Sequence, residues 1–210
     1  EFDNPDFGYA QDPAMYRQAF SFLVRECAKF HSCSSKIAFV WHSWAAGLPP
    51  MSTLSDFYPG DEYVDWVGIS LFSQLYTKKN HFKLGDRTSV QQVIDFARLH
   101  KKPIMIAEST PFGGIPSLSD PWNAWFEPII DLIERNDIEM WSYINCNWEE
   151  QPMWKGVGFG DTRLSTNRTV LHLWRQKVSE NPRFVTELDC GNGHDTFYFF
   201  VASLLVVGMG

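Results

Sequence analysis

The chain has 210 residues and a formal net charge of −7. That length suits one domain with ample chain to bury a core, and the acidic balance, with no basic cluster anywhere, argues against a nucleic-acid partner. Nine Trp, seven Tyr and seventeen Phe supply a core and also suit a carbohydrate surface, where flat apolar rings stack on sugar faces.

Asp12-Pro13 opens the first predicted helix, with Asp as N-cap and Pro at the first helical position. It runs to about Phe30, and Tyr16, Phe20, Leu23, Val24 and Cys27 fall on its expected buried face. The apolar run 37–41 reads as a buried strand ending in His42-Ser43. Residues 47–60 form a loop. A second strand follows over 64–70, ending in Leu71-Phe72, with Gly68 suited to a crowded barrel interior or a close backbone approach. A polar loop over 74–87 leads to a helix over 89–100, with Val90, Val93, Ile94 and Ala97 on one face.

The stretch 104–107 is apolar, too short for a helix, and bounded by Lys101-Lys102-Pro103 before and by Pro111 and Gly113-Gly114 after. It reads as a buried strand whose C-terminal end carries Glu108. A helix starts near Asp120-Pro121 and carries Trp122, Trp125, Phe126, Ile129, Ile130 and Ile133; Pro128 within it makes the first turn a separate piece. Residues 138–144 form a strand ending in Asn145-Cys146-Asn147-Trp148, and a Trp-rich loop continues through Met153-Trp154. Thr166 or Asn167 caps a last helix, with Val170, Leu171, Leu173, Trp174 and Val178 as its apolar side.

Strands alternating with helices imply a parallel sheet and the α/β class. The four strands, with Glu1-Phe2 as the end of a fifth, fit the second half of a (β/α)8 TIM barrel (strands 4–8), its N-terminal strands missing, since a closed barrel needs eight strands and typically about 250 residues. A small doubly wound sheet is the alternative, but no Gly-rich phosphate fingerprint follows any strand.

The four cysteines, Cys27, Cys33, Cys146 and Cys190, show no CxxC spacing, so no zinc or other metal site is expected. Cys27 and Cys33 can bridge a helix end to the following loop, or stay as buried thiols. Asn167-Arg168-Thr169 is a glycosylation sequon. The apolar run 196–210 is shorter than the ~20 residues of a membrane-spanning helix. It reads as a truncated membrane anchor ahead of a lipid-anchor signal or an element packed on the domain, so membrane contact through 196–210 is an expectation.

On the barrel reading Glu1, Trp41-His42, residues 70–72, Glu108 and residues 145–148 gather at one face. Two carboxylates at strand ends in an aromatic cleft are what glycoside hydrolysis needs: one attacks the anomeric carbon or activates water, and the other protonates the leaving oxygen. Burial or a like charge must hold the acid's proton near neutral pH.

Three segments then resemble a known family: Glu1-Phe2-Asp3 before the Tyr16 helix; Tyr58-Pro59-Gly60-Asp61-Glu62-Tyr63-Val64-Asp65-Trp66-Val67-Gly68-Ile69; and Lys102-Pro103-Ile104-Met105-Ile106-Ala107-Glu108. They are similar to the C-terminal half of glycoside hydrolases of the family 26 type, in a clan of retaining (β/α)8 hydrolases, over residues 1–178. The resemblance implies a partial catalytic domain over 1–180 and a tail over 181–210. It implies Glu108 as nucleophile, Glu1 as acid/base, no cofactor, and double displacement on a β-linked polysaccharide. β-Mannan comes foremost, with β-1,3-xylan and mixed-linkage glucan also represented. Trp41, His42, Phe72, Tyr143, Asn145, Trp148 and Trp154 become candidates for sugar contact. Core packing is the competing role for each aromatic, and a hydrogen-bonded rim position for His42. A non-catalytic glycan-binding protein is the alternative. The expected location is extracellular, secreted or membrane-tethered. The chain is expected to be a fragment, inactive alone, because strands one to three are missing and a terminal ammonium on Glu1 would oppose its use as an acid.

Overall fold

A computed structural model describes residues 1–34, 36–48, 51–72 and 85–184. Most of the predicted 74–87 loop and of the tail, including Cys190 and the run 196–210, lies outside the described residues. Four strands, β1 (Val40–Ser43), β2 (Trp66–Leu71), β3 (Ile104–Ser109) and β4 (Met140–Trp141), form one sheet in chain order. Every pairing is parallel, which requires a crossover between successive strands. The longer helices are α1 (Pro13–Ala28) before β1, α2 (Gly85–Leu99) between β2 and β3, α3 (Glu127–Asn136) between β3 and β4, and α4 (Arg168–Trp174) after β4; the β1–β2 crossover, where the sequence predicts a loop over 47–60, contains the short helix Leu54–Phe57.

The sheet extends beyond its formal strands. Phe2 N–H donates to the His42 carbonyl at 3.0 Å, so the first residues run beside β1. Glu139, Ser142 and Ile144 N–H groups donate to the Ile104, Ile106 and Ser109 carbonyls at 3.0, 2.9 and 2.9 Å. That ladder covers the predicted 138–144 strand, of which only two residues have regular strand geometry.

The two faces of the sheet differ. Trp41, Val67, Ile69, Leu71 and Ile106 are fully buried on the face where the helices pack; the Trp41 ring lies 5.3 Å from Phe96 of α2, and Trp141 lies 5.0 Å from Trp174 of α4. The opposite, inner face carries Val40, His42, Gly68, Ser70 and Ala107. A Cβ on Gly68 would come within 2.8 Å of Val40 Cγ1, 3.2 Å of the Ala107 Cβ and 3.4 Å of the His42 Cβ. The inner face is only half covered: Val40, His42, Met105, Ala107 and Ile144 all keep partial exposure.

Helix boundaries follow local chemistry. Asp12 Oδ1 accepts the Met15 N–H at 2.9 Å and Pro13 occupies the first position of α1. Tyr16, Phe20, Val24 and Cys27 do form its packed stripe, but Leu23 is 61% exposed; one residue before Val24, it lies about 100° around the helix from it. Gly85, rather than Ser89, begins α2. Before α3, residues Trp122–Phe126 wind as one π turn, and Pro128 falls in the first turn of α3, where its missing N–H costs no helical bond. The helix therefore runs through Pro128 unbroken. Asn167 Oδ1 caps α4 by accepting the Thr169 and Val170 N–H groups, so the sequon asparagine has a structural role. Cys27 and Cys33 form a disulfide with a Cα–Cα distance of 5.3 Å, and Cys146 is free.

Candidate active site

Glu108 reaches the inner face through an irregularity. Ile104 and Ile106 face the helices, and strict alternation along β3 would send residue 108 the same way. The register between β2 and β3 shifts after Ile69: Gly68 pairs with Met105 and Ile69 with Ile106, but Ser70 pairs with Glu108. Ala107 is the extra residue, and this bulge turns Glu108 onto the face that carries His42 and Ser70. Alternation resumes at Ser109, whose Oγ accepts the Trp141 Nε1–H at 2.8 Å and donates to the Ser142 carbonyl at 2.6 Å.

Glu108 as a residue keeps exposure at this open face, yet its carboxyl is held above its ordinary value. Crowding by the surrounding protein is the larger cause and the negative charge of Glu1 the next. Glu1 thus lies close enough for its field to reach Glu108. Its own position is braced on three sides. Asn4 Nδ2 donates to Glu1 Oε2 at 2.8 Å. Phe2 is fully buried and stacks on Trp41 at 4.1 Å. Asp3, 1% exposed, accepts Ser43 Oγ–H at 2.6 Å and the Trp44 N–H at 2.8 Å. Burial raises the Asp3 carboxyl above its ordinary value, against the lowering effect of those hydrogen bonds.

His42 lies on the inner face, with Nε2 2.8 Å from Ser70 Oγ. Burial holds its pKa down at about 3, so near neutral pH it is an uncharged imidazole that exchanges hydrogen bonds rather than a source of positive charge.

Among the other predicted contacts the structure separates two groups. Trp41 is fully buried on the helix side, its Nε1–H donated to the Phe57 carbonyl at 3.1 Å. Tyr143 is 6% exposed among Trp125, Phe126 and Trp174, with its hydroxyl donated to the Thr162 carbonyl at 2.5 Å. Both are core residues, not cleft residues. The physical reason is strand parity: Trp41 neighbours the inward His42, and Tyr143 neighbours Ser142 and Ile144. Asn145 is exposed and uses Oδ1 to accept the Leu164 N–H at 2.8 Å, which anchors a loop.

Phe72 and Trp148 instead join an aromatic ledge beyond the strand ends. Phe159 is its hub: Trp148 stacks on it at 4.7 Å, while Phe72, Phe112 and Trp154 meet it edge-on at 5.7, 5.0 and 5.5 Å. Trp148 is 8% exposed and Phe112 39%, so within the ledge Phe112 is far more open than Trp148. Sequence reasoning missed Phe112 and Phe159. The signal was the glycines beside them. The loop bearing Phe159 docks against the one bearing Phe112 through the Ile115 N–H to Asp161 carbonyl bond of 2.9 Å, and Gly114, at φ 81°, allows it: a Cβ there would lie 2.6 Å from the Asp161 nitrogen. Among the described residues no three His, Cys, Asp or Glu side chains gather as metal ligands would, and no helix is long and apolar enough to cross a membrane.

No family model matches the chain. A β-1,3-xylanase, TXYA, from a Vibrio species is 28% identical over 213 residues, covering 90% of this chain and 44% of that protein. A β-1,3-xylanase from an Alcaligenes species is 30% identical over 173 residues, covering 71% of this chain and 35% of that protein. Among solved structures, a modular endo-β-1,4-mannanase from Cellulomonas fimi, described with the glycoside hydrolase family 26 mannanases, aligns with a TM-score of 0.54 at 16% identity over 83% of this chain and 37% of that one. In sequence the chain is similar to these glycoside hydrolases, and in fold to the family 26 mannanase. It spans less than half the length of the curated relatives it matches, and its likeness to the mannanase is one of fold.

Proposed function

We propose that this chain is part of a retaining β-glycanase domain, in which Glu108 is the nucleophile and Glu1 the acid/base. The carrying observation is the β3 bulge, which turns Glu108 onto the inner face within the field of Glu1. In the first step Glu108 attacks the anomeric carbon while Glu1 delivers a proton to the leaving glycosidic oxygen. In the second, Glu1 takes a proton from water, which displaces Glu108 and regenerates both groups with retained configuration. The raised Glu108 carboxyl sets the lower pH bound of activity, because only its ionised form attacks.

The domain is proposed to be a (β/α)8 barrel, with this chain supplying strands 4–8. Supporting this are the half-exposed apolar residues Val40, Met105 and Ile144 on the inner face, together with Met15, Phe22 and Leu23 on α1, exposed by 65, 54 and 61%. Further strands and a neighbouring helix would cover both surfaces. The chain alone is therefore proposed to be inactive. The substrate is proposed to be a β-linked polysaccharide, β-1,3-xylan ahead of β-mannan, because both sequence relatives carry the β-1,3-xylanase name. Secretion is proposed as well; the Cys27–Cys33 disulfide suits an oxidising compartment.

The test is Glu108→Gln in the intact protein that carries these residues, assayed on β-1,3-xylan and β-mannan. Lost hydrolysis with retained binding supports the enzyme. An intact protein that binds glycan and hydrolyses nothing supports the non-catalytic alternative, and unchanged hydrolysis removes Glu108 from the reaction.

A further inference from the structure

Residues 1–4 hold more chemistry than the two-carboxylate reaction uses. Glu1 stands at the sheet edge, one residue before Phe2, whose N–H pairs with β1, and such a side chain is free to turn unless something holds it. Asn4 is placed to do so. It is 7% exposed, and both ends of its amide are engaged. Oδ1 accepts the Asp6 N–H at 3.1 Å, and Nδ2 donates to Glu1 Oε2 at 2.8 Å. The Asn4 backbone N–H also closes on the Glu1 carbonyl at 3.2 Å. The turn itself is fixed from outside, by Phe2 in the aromatic core and by Asp3 on the Ser43 hydroxyl and the Trp44 N–H.

We infer that Asn4 is a positioning residue for the acid/base: its amide holds Glu1 Oε2, so that Oε1 is the oxygen that carries the catalytic proton. This inference rests on the reading of Glu1 as acid/base given above. An N–H donated to Oε2 makes that oxygen an acceptor and disfavours a proton on it. Oε1–H then delivers its proton to the glycosidic oxygen as the carbon–oxygen bond breaks. After the first product leaves, the same Oε1 accepts the proton of the attacking water, and Oε2 stays on the amide throughout. The side-chain amide acts through Glu1 and touches no reacting atom.

Two variants in the intact protein test this. Asn4→Asp is nearly isosteric and keeps the acceptor for the Asp6 N–H, but it removes the N–H donor to Glu1; Asn4→Ala removes both. Each is assayed on the polysaccharide and on a dinitrophenyl glycoside, whose leaving group departs without a proton. Thermal melting is recorded alongside. The expected result is a kcat loss on polysaccharide of about 10- to 100-fold, within the ~10²–10⁴-fold that a general acid contributes. The burst of dinitrophenolate should stay within about threefold of the parent, since the first step on that substrate needs no acid, and added azide should restore turnover by replacing the water that needs a base. Equal losses on the two substrates, or no loss on polysaccharide for Asn4→Asp, would overturn the inference. Glu1→Ala is run in parallel to separate the two levels. If Glu1→Ala shows the leaving-group pattern and the Asn4 variants do not, only the positioning role falls. If Glu1→Ala lacks the pattern, the acid/base reading falls and the positioning role falls with it.

Discussion

The two faces of the sheet are built from the same strands and do opposite work. On the helix side, Trp41, Val67, Ile69, Leu71 and Ile106 are fully buried and the aromatic contacts are dense. On the inner side, His42, Ser70, Glu108 and the braced Glu1 form a polar, half-open surface. Trp41 and His42 are adjacent in sequence and differ completely in role. One face supplies the stability that lets the other hold buried or crowded polar groups, whose burial costs free energy unless they are hydrogen-bonded.

The largest effect expected is on the inner face. Glu108→Gln in the intact protein should lower polysaccharide hydrolysis by about 10⁴-fold or more, with a melting temperature at or above that of the parent, because a crowded charge has been removed. A clear drop in melting temperature with hydrolysis retained would reverse the assignment of the two faces.

On the helix side the expected loss is in stability. Trp41→Ala should destabilise by about 3–5 kcal/mol, measured by denaturant unfolding, and any activity loss should follow the unfolded fraction. Loss of glycan binding by a still-folded Trp41→Ala would return Trp41 to the cleft. Gly68→Ala tests where the faces meet. Its new Cβ would meet Val40, Ala107 and His42, so a cost of about 1–3 kcal/mol is expected from overpacking.

Two pH experiments sharpen the electrostatic side. Glu108 is held above its ordinary value by crowding and then by the charge of Glu1. In Glu1→Gln the second cause vanishes, so the acidic limb of the burst rate on a dinitrophenyl glycoside should move to lower pH; a limb that stays in place would mean the two carboxylates do not interact. His42, held down at about 3 in the folded state, has an unfolded value of about 6.5. Its contribution to stability is full above the unfolded value and is lost as pH falls from there toward 3, since the unfolded chain then binds the extra proton. The melting temperature of His42→Gln should therefore fall less than that of the parent between about pH 6.5 and 3.

Much of this was legible in the sequence. The apolar run 104–107, too short for a helix and closed by breakers, belongs to a strand, β3, that carries Glu108 near its C-terminal end. Asp12-Pro13 and Asn167 mark the helix starts they cap. These are local effects, set by residues within one turn or one strand, so a linear reading finds them. Strand parity was also written in the sequence: with His42 taken as inward, Trp41 cannot share the cleft, and Tyr143 sits among residues whose pairing turns it to the helices. The aim of Glu108 was not. The alternation of Ile104 and Ile106 points residue 108 toward the helices, and only the pairing with β2, through the shift after Ile69, turns it inward. A bulge is a relation between two strands, and neither strand announces it alone. The hold of Asn4 on Glu1 and the gathering of Phe72, Phe112 and Phe159 are of the same kind. By itself the sequence determined the elements, their class and the residue types at the strand ends, because propensity and periodicity act over a few residues. Which of those side chains face one another was decided by the tertiary structure, because register and loop docking are settled only when segments distant in sequence pack together.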